Sequence, residues 1–159
     1  MSLQSPVASD HQLARLLQIG VVLEEVVEAR AAKHMTELES RDEEVRALLE
    51  EAAAESATHR ERLEELVEEL DAKTIGFDEI QQLVEQQYES DGEFDGVLYD
   101  QLCNEETAYK FYDDLIEAVE LSTAEFSIER ERLLSELQAI QEEEKAGVEE
   151  VTKLMEKRE

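Results

Sequence analysis

The chain is poor in the residues that break helices. Its 159 residues include one proline, Pro6, and five glycines. After the first few positions little can interrupt a helix, because proline removes a backbone donor and interior glycine costs about 1 kcal/mol relative to alanine. Strand markers are also sparse. These absences exclude a typical helix–strand mixture and point to an all-α protein.

Other absences are equally restrictive. Cys103 is the only cysteine, which excludes an intrachain disulfide and any four-cysteine zinc or iron site. There is no tryptophan and there are only three histidines. No apolar run approaches the roughly 18 residues that suggest a membrane span. The stretch MSLQSPVASDHQ lacks the basic and then apolar order of a signal peptide, so a cytoplasmic location is expected. No glycine-rich phosphate loop and no nucleophile elbow is present.

Positive charge is scarce too. Lys and Arg number 15 against 43 Asp and Glu, for a net charge of −28 at pH 7. Such a field repels nucleic acid and anionic membranes, so neither is an expected partner. An acidic surface also suits a protein that works in high salt, where screening is short-ranged. Disorder is not expected, because apolar residues make up 42% of the chain and keep a helical period throughout.

The periodicity predicts four helices, at about 10–39, 41–71, 97–120 and 123–156, in a single domain over residues 1–159. Ser40 with Glu43, and Ser122 with Glu125, read as capping boxes before the second and fourth helices. Long helices joined by a tight turn pack antiparallel. Between the second and third, residues 73–96 hold three of the glycines and a short amphipathic piece, Phe77, Ile80, Leu83 and Val84. This segment is long enough to travel the length of the bundle. A helix pair, a long crossover and a second helix pair make a four-helix bundle of the ferritin-like kind.

Each apolar seam carries a polar residue near its middle. In AAAESATHRERLEEL, Ala52, Ser56, His59, Leu63 and Leu66 share one face, and Glu55 flanks it. The equivalent interruptions elsewhere are Glu24, Glu105 and Glu144. All four lie about 15 to 20 residues from the nearest hairpin turn, so they fall at similar depth. Unpaired buried carboxylates are costly, and a cation between them would remove that cost. Carboxylate and imidazole donors suit iron or manganese, as one or two ions. Glutamate is abundant here, however, and a long side chain on a flank can reach solvent.

The run NEETAYKFYDDLIEAV resembles the third helix of rubrerythrin-like proteins in the ferritin superfamily. Glu105 is followed by Ala108 and Tyr112, as around that family's metal-ligating Glu. IQEEEKAGVEEVTKLM is similar to the family's last helix, where a Glu-Glu-x-x-His run supplies ligands, and ESATHRERL is similar to the matching motif in its second helix. The resemblance covers most of the chain. It implies Glu24 or Glu28, His59, Glu105 and Glu144 as metal ligands, with Glu55 as a substitute four residues before His59. Two departures stand out. Ser56 occupies the place of a ligand Glu, and Gly147 the place of a ligand His.

The implied activity is iron oxidation, or scavenging of peroxide or oxygen, in a homo-oligomer that is a dimer or larger. No rubredoxin-type electron-transfer domain is present, so a peroxidase would need an external reductant. The competing expectation is a metal-free bundle with a binding or structural role. Tyr109 and Tyr112 read as core residues close enough to Glu105 to serve as a relay. His34 reads as a flank residue. A second alignment pairs AESATHRERL with AEFSIERERL, which share their first two and last four residues. It would bring in Glu125 and Glu129; Glu125 lies only one turn past the second hairpin, far from the level of Glu105, while Glu129 stays as an outside candidate.

Overall fold

A computed structural model describes residues 6–37, 42–72, 79, 82 and 96–158. Within them the chain forms four long helices and no strand: α1 (Asp10–Glu37), α2 (Glu43–Glu68), α3 (Val97–Glu120) and α4 (Arg130–Lys157). None of these is long and apolar enough to cross a membrane.

The helix starts differ from the expected ones in informative ways. Ser9 caps α1, with its hydroxyl accepting from the Gln12 N–H while the Gln12 amide oxygen accepts from Ala8. This is a capping-box exchange shifted by one residue. At α2 the cap is Asp42, whose Oδ1 accepts from the Val45 N–H at 3.2 Å; Ser40 lies outside the described residues. The fourth helix starts at Arg130 and not near 123. The Ser122 hydroxyl accepts from the Ala124 N–H and donates to the Val7 carbonyl, so it closes a local turn and caps no helix. Arg130 then fixes the helix start by donating to the Val119 and Ala124 carbonyls.

Cross-helix contacts define the arrangement. Arg46 donates to the Met35 carbonyl at one end, Glu24 faces His59 midway and the Asp71 N–H donates to Asp10 at the other end, so α1 and α2 run antiparallel. Gln141 donates to Asp113, and Gly147 lies beside Glu105, which sets α3 against α4. His34–Asp100 and Tyr112–Glu24 join α1 to α3, while Arg62–Glu136 and Lys157–Glu44 join α2 to α4. The end of α2 lies beside the start of α1, where the Asp71 N–H donates to Asp10. By contrast, α3 begins beside the end of α1. The two ends of the 73–95 connection are thus at opposite ends of the helices. The expected crossover itself lies outside the described residues, apart from Glu79 and Gln82.

Among the described residues the interior holds two apolar clusters. The larger includes Leu13, Leu17, Leu63, Leu66, Leu115, Leu133, Leu137 and Ile140. The smaller is built on Ala31, Val45 and Leu49, with Met35, Leu98 and Leu154 packed on it. At roughly 1.5–3 kcal/mol per fully buried large apolar side chain, the larger cluster supplies most of the burial energy. Gly20 allows close packing here. A Cβ on it would stand 3.1 Å from Leu63 Cδ1 and 3.2 Å from Phe111 Cε1.

Candidate metal centre

Glu24, His59 and Glu144 meet between the two apolar clusters, one from each of α1, α2 and α4. They are 0%, 1% and 3% exposed. Each continues an apolar seam by helical spacing. Glu24 follows Gly20 by four residues, His59 precedes Leu63 by four, and Glu144 follows Ile140 by four. The backbone therefore aims all three inward as it would aim leucines.

His59 is the hub. Its Nδ1 lies 3.3 Å from Glu24 Oε1 and 3.1 Å from Glu144 Oε1. Its Nε2 lies 3.0 Å from Glu143 Oε2, which also accepts from Arg62 at 3.0 Å. Glu55 stands farther off, with Oε1 3.9 Å from Nε2. One donor atom from each of Glu24, His59 and Glu144 can be chosen so that all three lie within 4.8 Å of one another.

The fourth helix face completes the layer. Glu105, on α3, is buried. Its Oε1 accepts from the Gln101 amide at 2.8 Å, and its carboxylate hydrogen-bonds Glu144. Space for it comes from Gly147, where a Cβ would stand 2.7 Å from Glu105 Oε2. The Tyr112 hydroxyl, also on α3, donates to Glu24 Oε1 at 2.7 Å.

The electrostatics follow from this crowding. Burial pushes the Glu144 carboxyl far above the usual carboxylate range, and its hydrogen bond to Glu105 and the charge of Glu24 push it further. It therefore holds a proton when no cation is present. Burial also raises Glu55, to about 7; His59 opposes this, while Glu105, Glu143 and Glu150 reinforce it. For His59, burial acts to lower the value, but hydrogen bonding to Glu24 and the charges of Glu24 and Glu55 outweigh it and raise the value overall. Burial and Glu24 together hold the Tyr112 phenol protonated well above its ordinary range.

Of the residues expected from the sequence, Glu24, His59, Glu105 and Glu144 come together, and Glu55 sits at their edge. Glu28 does not join them. Arg60 draws its carboxylate away, with Nη2 3.2 Å from Glu28 Oε2. Glu125 and Glu129 are exposed. His34 is not a flank residue but is 2% exposed. Its Nε2 lies 2.8 Å from Asp100 Oδ2, beside a contact between Arg30 and Asn104, in a second polar layer between α1 and α3.

Sequence reasoning missed Glu143, Arg62 and Gln101. Glu143 is hidden in a run of three glutamates. Gln101 was detectable, since Gln and Glu four residues apart on one helix face often bond.

The donor set fits a transition-metal cation. Glu24 Oε2 is enclosed and has no hydrogen-bond partner among the described residues. Such an atom carries a desolvation cost that a cation would remove. The imidazole is arranged as metal-bound histidines usually are, with one nitrogen facing carboxylate donors and the other hydrogen-bonded to a further carboxylate, Glu143. The chain matches no family model, no curated protein and no solved structure.

Proposed function

We propose that this protein is a ferritin-like metal-binding four-helix bundle, with a long crossover from α2 to α3. It holds iron or manganese between Glu24, Nδ1 of His59 and Glu144, and it serves iron oxidation or the removal of peroxide or oxygen. The observation that carries this reading is the meeting of three buried donors from three helices, one of which, Glu24, also holds an oxygen, Oε2, with no hydrogen-bond partner among the described residues. The opposite placement of the α2 and α3 ends supports the crossover. The rubrerythrin-like runs around His59, Glu105 and Glu144 support the family.

A redox-active ion bound here would supply electron transfer to oxygen or peroxide. The chain's own residues do the rest. Glu24, Glu144 and His59 provide oxygen and nitrogen donors suited to Fe(II) or Mn(II). Glu143 holds the imidazole orientation through Nε2. Leu63, Ile140 and Tyr112, all fully buried, keep bulk water from the ligands. Glu144, protonated in the metal-free state, would have to give up its proton to serve as a ligand.

A second reading rests on the same imidazole. Protonated at both nitrogens, His59 pairs with Glu24 Oε1, Glu144 and Glu143 without any metal, as in a bundle with a binding or structural role. Elemental analysis after anaerobic loading with Fe(II) or Mn(II) and desalting separates the two. Metal retained by the parent protein and lost in His59→Ala supports the first reading. Metal near zero in the parent overturns it.

A further inference from the structure

We infer that the centre takes a single divalent cation, and that Gly147 sets this number by giving its space to Glu105. The inference rests on the metal-binding reading above and adds the stoichiometry and the residue that controls it.

Each helix places one metal-capable side chain in the layer: Glu24, His59, Glu105 and Glu144. Among the described residues these include the one group of three donors close enough to share an ion. Glu55 and Glu143 approach the opposite ring nitrogen, at 3.9 and 3.0 Å, but form no such three-donor group with it. Glu143 is also held by Arg62.

Charge points the same way. The three buried carboxylates carry at most three negative charges, and a bound imidazole is neutral, so one divalent ion is more than balanced within the layer. A second would have to draw on Glu55 and Glu143 at its edge, and Glu143 is already engaged by Arg62; an unbalanced ion in the interior is costly.

Space is limiting as well. Residue 147 lies one turn beyond Glu144 on the same side of α4, where a side chain could offer a second donor. It is glycine, and the Glu105 carboxylate fills the space, with Oε2, Cδ and Oε1 at 2.7, 2.8 and 3.1 Å from the position a Cβ would take. On α2 the residue one turn before His59 is Ser56, which is buried and carries only a short hydroxyl. Glu105, steadied by Gln101, thus closes the layer from α3 in place of a donor from α4.

Co(II) titration in molar salt, which screens the acidic surface, tests this. Bound ions are counted by equilibrium dialysis and the ligand field by visible absorption. The expected result is one Co(II) per chain with a ligand-field band, both absent in His59→Ala. Gly147→Ala forces the Glu105 carboxylate aside, so its Co(II) affinity falls by about tenfold or more while the helical signal is kept. Glu105→Gln, which adds no bulk, gives the same loss and stands in if Gly147→Ala does not fold. Two Co(II) per chain, both lost in His59→Ala, would overturn the single-ion inference and leave the metal-binding reading intact. No His59-dependent Co(II) would overturn both. One ion with unchanged affinity in Gly147→Ala and Glu105→Gln would overturn the role of Gly147.

Discussion

Tyr112 and Glu24 are joined by a 2.7 Å hydrogen bond inside the protein, and neither residue has any exposed surface. The phenol donates to the carboxylate that also faces His59. Replacing the tyrosine with phenylalanine keeps the packing and removes the donor. Tyr112→Phe should destabilise the metal-free protein by about 1.5–3 kcal/mol, the range for a bond to a charged group. Urea denaturation with chelator present measures this. An unchanged midpoint would mean that Glu24 does not depend on the phenol.

The stability of the metal-free protein should fall as pH rises from 5 to 8. Glu55 titrates near 7 in the folded chain against an ordinary 4.5, so the folded state binds more protons between those values and loses stability as pH climbs through them. After allowance for its partial exposure the effect is about 2 kcal/mol. The raised His59 adds to it. Its contribution is complete below 6.5 and is lost as pH rises through the higher folded value. Thermal melts in chelator across this range should show a falling Tm, with a shallower fall in Glu55→Gln. A Tm that rises over the same range contradicts the assignment.

Metal stabilisation should run the other way. Ligation needs Glu144 deprotonated and Nδ1 free, so the increase in Tm from Fe(II) or Mn(II) should grow with pH. Ca(II) should do less, since an imidazole is a poor ligand for it. Equal shifts from all three ions would indicate diffuse binding to the acidic surface.

His59→Ala separates the two functional readings by its cost in the metal-free state. If the imidazolium is a structural hub, the variant should lose about 1–3 kcal/mol in chelator, from a cavity and unpaired buried carboxylates. If the site exists for a metal, the larger loss should be in the metal-loaded protein. Paired denaturation curves with and without Mn(II) give both numbers.

The net charge of −28 should make stability depend on salt, because self-repulsion opposes the compact state. Circular dichroism melts across a salt series should show Tm rising towards molar salt. A flat series would show that local pairs such as Arg62–Glu136 and Arg132–Glu69 already offset the repulsion.

The helices and the central polar layer were legible in the sequence for one physical reason. Both depend on periodicity, and a seam that places Leu63 and Ile140 inward places His59 and Glu144 inward as well. Features set by tertiary contact were not legible. Ser122 looks like a helix cap, but its hydroxyl donates to the Val7 carbonyl and accepts from the Ala124 N–H in a local turn. Glu28 stands one turn from Glu24 and reads equally well as a ligand until Arg60 claims it. Gly147 reads as the loss of a donor. Only the packing shows that Glu105, distant in the chain, occupies the space.

The polar layer also bears on how the protein opens. Among the described residues it parts a large apolar cluster from a small one, whose buried side chains are Ala31, Val45 and Leu49. Regions with little apolar burial open locally at lower free energy than the rest. Amide protons around Val45 and Leu49 should therefore exchange with solvent faster than those around Leu63 and Leu137. Glu24, His59 and Glu144 stand on the border between the two regions. An ion held there would act as a rivet, so that the weaker end could no longer breathe on its own and the four helices would come apart as one.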